Sequence, residues 1–109
     1  SIEEFLEMYN RRIYDIHNKQ SDIKFMKNVD FEGIYILHNK SKCKYYVGKS
    51  SKVFKKVERH FTGFGNDEIY SEWKTGDKFF VNMIRFDNSG YKSLDLLEKD
   101  MKTQYDSCI

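Results

Sequence analysis

No proline occurs anywhere in the 109 residues, and there is neither an internal repeat nor a low-complexity tract, which excludes a proline-rich linker or a repeat array. Cysteine is nearly absent: Cys43 and Cys108 are too few and too far apart for a disulfide framework or a zinc-ligand spacing. A reduced, cytoplasmic setting is the expectation. No apolar run approaches the roughly 18 residues of a membrane span, and no signal peptide is visible, so no membrane partner is expected. Charge of one sign is not in excess either, since 19 basic residues against 17 acidic give a formal net charge of +2. Whole-molecule charge therefore argues neither for nor against nucleic acid, and local clustering has to decide. The chain opens at Ser1 without methionine and stops at "YDSCI", which reads as an excised domain.

What is present is aromatic. Hydrophobic residues make up 39% of the chain and aromatics 17%, with eight Tyr and nine Phe. That is enough for a core, because each aromatic ring buries a large area, and the length fits one domain. Residues 2–17 place Ile2, Phe5, Leu6, Tyr9, Ile13 and Ile16 at helical spacing, with Glu3 and Glu4 suited to the first turn. A polar connector follows. "GIYILH", the turn "NKSK" and "CKYYVG" read as a hairpin. A helix is expected over 51–61 with Ser50 or Ser51 as its N-cap, then the glycine-rich loop "TGFGND" and the short helix "EIYSEWK". A third strand, "KFFVNMIRF", precedes a last helix over 94–106 capped by Ser93. This order predicts a small α+β domain, three antiparallel strands covered by helices.

Three segments carry candidate chemistry. A four-residue "NKSK" loop pairs His38 with Cys43, which sets Tyr35 directly opposite Tyr46 and lets both phenols project from one spot. Paired strand tyrosines are more often plain packing. In the next helix, Val53, Phe54, Val57 and Phe61 take one flank, while Lys52, Lys56, Arg59 and His60 gather on the other. Such a face is either a solvated surface or one that meets phosphates. In the last helix Glu98 falls within the stripe of Leu94, Leu97, Met101 and Tyr105. A core-facing carboxylate needs a cation or donors: Lys102 or a strand lysine would serve, and so would Mg²⁺, which often takes one protein carboxylate plus waters and a phosphate oxygen.

In order, "GIY" at 33–35, "YVG" at 46–48, "RHF" at 59–61 and "LLEKDM" at 96–101 resemble the GIY-YIG endonuclease family. The resemblance covers residues 31–106. It implies a GIY-YIG nuclease domain over 31–109, with residues 1–30 as an N-terminal helix and connector packed on its core. It further implies divalent-metal-dependent hydrolysis of phosphodiester bonds in DNA, double-stranded by expectation, leaving 5′-phosphate and 3′-hydroxyl ends. The resemblance assigns Tyr35 as general base or as the group orienting the attacking water. Tyr46 would hydrogen-bond near the phosphate, His60 would assist phosphate binding or proton transfer, and Glu98 would be the protein ligand of one Mg²⁺ or Mn²⁺. Lys56 stands where most members carry arginine, and keeps the charge without the bidentate fork. Lys49, Lys52 and Arg59 are the expected DNA contacts. Since a phenol ordinarily titrates near about 10, the base role requires nearby cations, with Lys49, Lys56 and the metal as candidates. Two rivals stay open: a fold of this type that binds DNA without turnover, and a protein-interaction domain built on the first helix.

Overall fold

The computed structural model of the chain describes residues 1–18 and 30–106. Four helices and three strands are found there: α1 (Ile2–Asn18), β1 (Gly33–Asn39), β2 (Lys44–Ser50), α2 (Val53–His60), α3 (Asp67–Lys74), β3 (Phe79–Arg85) and α4 (Leu94–Tyr105). The expected connector up to residue 29, the Ile13 and Ile16 side chains and Cys108 lie outside the described residues.

β1 is central in an antiparallel sheet of order β2-β1-β3. Its continuous run "GIYILHN" fits that place, since a central strand is covered on both faces. One face presents Tyr35 and Leu37 of β1, Tyr46 of β2 and Phe79 of β3 to α1, α2 and α3, which contribute Ile2, Phe5, Val53, Val57 and Ile69. The opposite face presents Ile34, Ile36 and Val47 to Leu97 of α4. The α+β architecture expected from the sequence is the one observed. No helix among the described residues is long and apolar enough to cross a membrane.

The hairpin register differs from expectation. Asn39 pairs with Lys44 and His38 with Tyr45, so Tyr35 lies opposite Gly48 and Tyr46 opposite Leu37. The four-residue loop is therefore 40–43, not 39–42. Asn39 stays in the strand because its side chain is fully used. Its Nδ2 donates to Glu72 Oε1 (3.2 Å) and Asp77 Oδ2 (2.9 Å), while its Oδ1 accepts the Lys42 N–H (3.1 Å). Cys43 closes the loop with φ +54°. The slip is two residues, so Tyr35 and Tyr46 keep a common face as diagonal neighbours.

The expected serine cap of α2 is also replaced. Lys52 occupies the cap position without a side-chain bond, and Ser50 Oγ turns instead to the Lys52 backbone. The orphan donors of the first turn go to Asp30, whose carboxylate accepts the N–H groups of Phe54 (2.8 Å) and Lys55 (3.1 Å). A cap brought from outside the helix satisfies the same donors and favours the positive end of the dipole. Ser93 caps α4 as expected, accepting the Leu96 N–H at 3.2 Å.

Candidate functional site around Tyr35 and His60

Tyr35 is 4% exposed, and its ring passes over the strand opposite. A Cβ at Gly48 would lie 2.1 Å from the Tyr35 hydroxyl and 2.2 Å from the carbon bearing it. Only glycine leaves the phenol room to reach the free edge of β2. There its oxygen meets His60 Nε2 at 2.8 Å.

The proton on this bond can be assigned. His60 Nδ1 accepts the backbone N–H of Asn66 at 2.9 Å, so Nδ1 carries a lone pair and Nε2 carries the hydrogen. His60 therefore donates to the phenol, whose own hydrogen is directed elsewhere. Burial, helped by the charge of Lys56, lowers the His60 pKa from 6.5 to about 4, which keeps the imidazole neutral. The Tyr35 pKa is pushed up to about 12, by burial first and then by the charge of Glu98. Lys49 and Lys56, the lysines expected to lower it, do not outweigh this rise.

Glu98 approaches from the opposite face. It stands at the edge of the α4 stripe, 18% exposed, with Oε1 3.9 Å from Lys49 Nζ and Oε2 3.8 Å from Lys102 Nζ. Lys49 also pairs with Asp95. α4 packs mainly on β2, the edge strand that also carries Gly48, and the Glu98 charge is felt at the Tyr35 phenol. These long pairs leave carboxylate lone pairs free, a donor set that suits a hard cation taking a single protein oxygen and several waters. Among the described residues there is no group of three or more His, Cys, Asp or Glu side chains able to hold a metal, so any ion here would depend on Glu98 with water and substrate oxygens.

Tyr46 is directed elsewhere, contrary to the expectation that both phenols share one spot. It is fully buried, and its hydroxyl donates to Glu72 Oε1 at 2.7 Å. Lys44 Nζ lies 2.5 Å from Glu72 Oε2, and Asn39 completes the network. Burial works to raise the Glu72 pKa, but the hydrogen bonds from Lys44, Tyr46 and Asn39 outweigh it and bring it down. Burial also raises the Tyr46 pKa; Lys44 pulls the other way and Glu72 adds to the rise.

On α2 the sequence grouping needs one correction. His60 is 3% exposed and lies with Val53 and Val57, seven residues from the first and three from the second, at the border of the apolar stripe. Lys52, Lys55, Lys56 and Arg59 are exposed and form the basic face without it. Gly65 and Asn66, in the glycine-rich loop, hold His60. A Cβ at Gly65 would fall 2.4 Å from Nδ1, and Asn66 fixes the tautomer while its side chain caps α3 by accepting the Ile69 N–H. The available signal was the "GFGND" sequence directly after the helix bearing the histidine. Compared with known proteins, the chain matches no family model, no curated protein and no solved structure.

Proposed function

We propose that this domain is a divalent-metal-dependent DNA endonuclease of GIY-YIG type, acting by phosphodiester hydrolysis. The observation that supports the reading is the phenol of "GIY" lying on the glycine of "YVG", hydrogen-bonded to the histidine of "RHF" and sensing the charge of the glutamate in "LLEKD". Four segments spread over 66 positions of sequence (33–98) act on one oxygen atom.

In this mechanism the water oxygen bonds to phosphorus as the P–O bond to the leaving oxygen breaks. Tyr35 orients the water and accepts its proton when ionised. His60, neutral and donating through Nε2, stabilises negative charge on the phenol oxygen. Lys56, Lys52 and Arg59 neutralise phosphates along the strand. Glu98 would hold Mg²⁺ or Mn²⁺; when bound, such an ion supplies charge that opposes Glu98's effect on Tyr35 and stabilises the phosphate and leaving oxygens. Tyr46 ties β2 to α3 through Glu72 and serves the site by fixing the strand that carries Gly48.

A second reading, DNA binding without turnover, is favoured by two observations: the raised Tyr35 pKa and the Lys49 ammonium already beside Glu98 and Asp95. Nicking of supercoiled plasmid in Mg²⁺, with and without Glu98→Gln, separates the two. Cleavage by the parent and none by the variant is expected, together with a Mg²⁺-dependent rise in melting temperature that the variant lacks. A parent that binds plasmid without nicking it leaves the second reading, and one that neither binds nor cuts removes both.

A further inference from the structure

Between α2 and α3 the chain runs "FTGFGN", and its six residues are held tightly. The Phe61 and Thr62 N–H groups donate to the Glu58 and Arg59 carbonyls, and Phe64 N–H donates to Arg59 O at 3.1 Å. Gly63 takes φ +92° and rests against the Tyr70 ring, while Gly65 lies where any Cβ would strike His60. Gly63 needs its glycine for its left-handed backbone and Gly65 for its approach to His60, and the side chain between them stands in solvent. Phe64 is 76% exposed, against 50% for Leu96 and 41% for Phe80.

We infer that Phe64 is a base-contacting wedge, a side chain that stacks on an unstacked nucleobase of bound DNA next to the Tyr35–His60 pair. The inference rests on the nucleic-acid reading above. Charge complementarity names the occupant. Phe64 lies four residues beyond His60, the last residue of α2, whose outer face carries Lys52, Lys55, Lys56 and Arg59, charges suited to a row of phosphates. The acids beyond it, Asp67 and Glu68, belong to the first turn of α3, and Glu68 is engaged by Lys44 at 3.0 Å. A single exposed phenylalanine needs no explanation by itself. This one stands on a hydrogen-bonded loop that also anchors His60, so a base stacked on it would lie close to the Tyr35–His60 pair. Aromatic and apolar side chains inserted at a base step unstack it and add affinity that does not depend on salt.

The test uses the full chain in divalent-free buffer, so that no cleavage intervenes, and a duplex carrying 2-aminopurine, whose emission rises when it is unstacked. Wild-type binding is expected to raise the emission. Phe64→Ala should weaken binding about 5- to 100-fold, abolish the rise and leave the salt dependence unchanged, because no charge is removed. Phe64→Trp should retain both affinity and rise. Ala binding as tightly as wild type with the same emission overturns the wedge and spares the nuclease reading. Equal losses in Ala and Trp also overturn it, since stacking would survive in Trp. A wild type that does not bind the duplex overturns both.

Discussion

At the scale of single residues, the candidate site depends on space and on one proton. Gly48→Ala puts a methyl group 2.1 Å from the Tyr35 hydroxyl, and the phenol must leave His60 or the strand must bend. A loss of about 1–3 kcal/mol is expected, as for other overpacked cores, measurable by urea denaturation; unchanged stability would mean that the ring lies elsewhere. His60 makes a pH prediction. Its folded pKa of about 4 is below its ordinary value of 6.5, so the unfolded chain binds more protons between those values. Stability is complete above the unfolded value and falls as pH drops through this window, by up to about 3 kcal/mol. Urea midpoints across the window should show the fall in wild type and a shallower one in His60→Gln. Equal slopes in the two proteins would show that the histidine is not buried neutral.

At the scale of elements, α2 is an eight-residue helix too short to stand alone. It carries both the basic face and His60, and its start is fixed by Asp30 rather than by its own sequence. Asp30→Ala removes acceptors from two N–H groups and should cost about 1–2 kcal/mol, the usual range for a lost cap. Amide hydrogen exchange at Phe54 and Lys55 should accelerate more than exchange at the β1 amides. Uniform acceleration would show instead a general loss of stability, and with it that Asp30 supports more than this helix. The hairpin loop makes the complementary point: Asn39, bonded to Glu72 and Asp77, selects the register that brings Gly48 under Tyr35.

Over the whole molecule, the small net charge of +2 conceals an uneven distribution of charge among the described residues. Among the described residues, Lys52, Lys55, Lys56 and Arg59 make one contiguous exposed basic face at α2, while Lys42, Lys44 and Lys49 are engaged by carboxylates. If Lys52, Lys55, Lys56 and Arg59 all reach phosphates, the logarithm of the duplex binding constant should fall against log salt with a slope of about −3.6. Fluorescence anisotropy over a salt series measures it. A slope of about −1 or shallower would remove α2 as the interface, whatever the affinity.

Period and composition alone determined the three strands, the described part of the α1 stripe (Ile2, Phe5, Leu6 and Tyr9), the stripe of α4, the Ser93 cap and the common face of Tyr35 and Tyr46. All but the last are properties of residues two to four positions apart, and the common face, set by the hairpin, survives a two-residue slip because strand side chains alternate. Tertiary structure decided where each functional atom points. Tyr35 found His60, 25 residues on, whereas Tyr46 found Glu72, 26 residues on, and no local pattern distinguishes two strand tyrosines beside glycines. Asp30 displaced the nearby serines as the α2 cap, and Gly65 with Asn66 set the histidine tautomer from a loop. The helix of Glu98 packs mainly on β2, the edge strand beside β1, and its charge still reaches Tyr35. That is a fact of strand order, and strand order is fixed only when separated segments compete for the same hydrogen bonds and the same core.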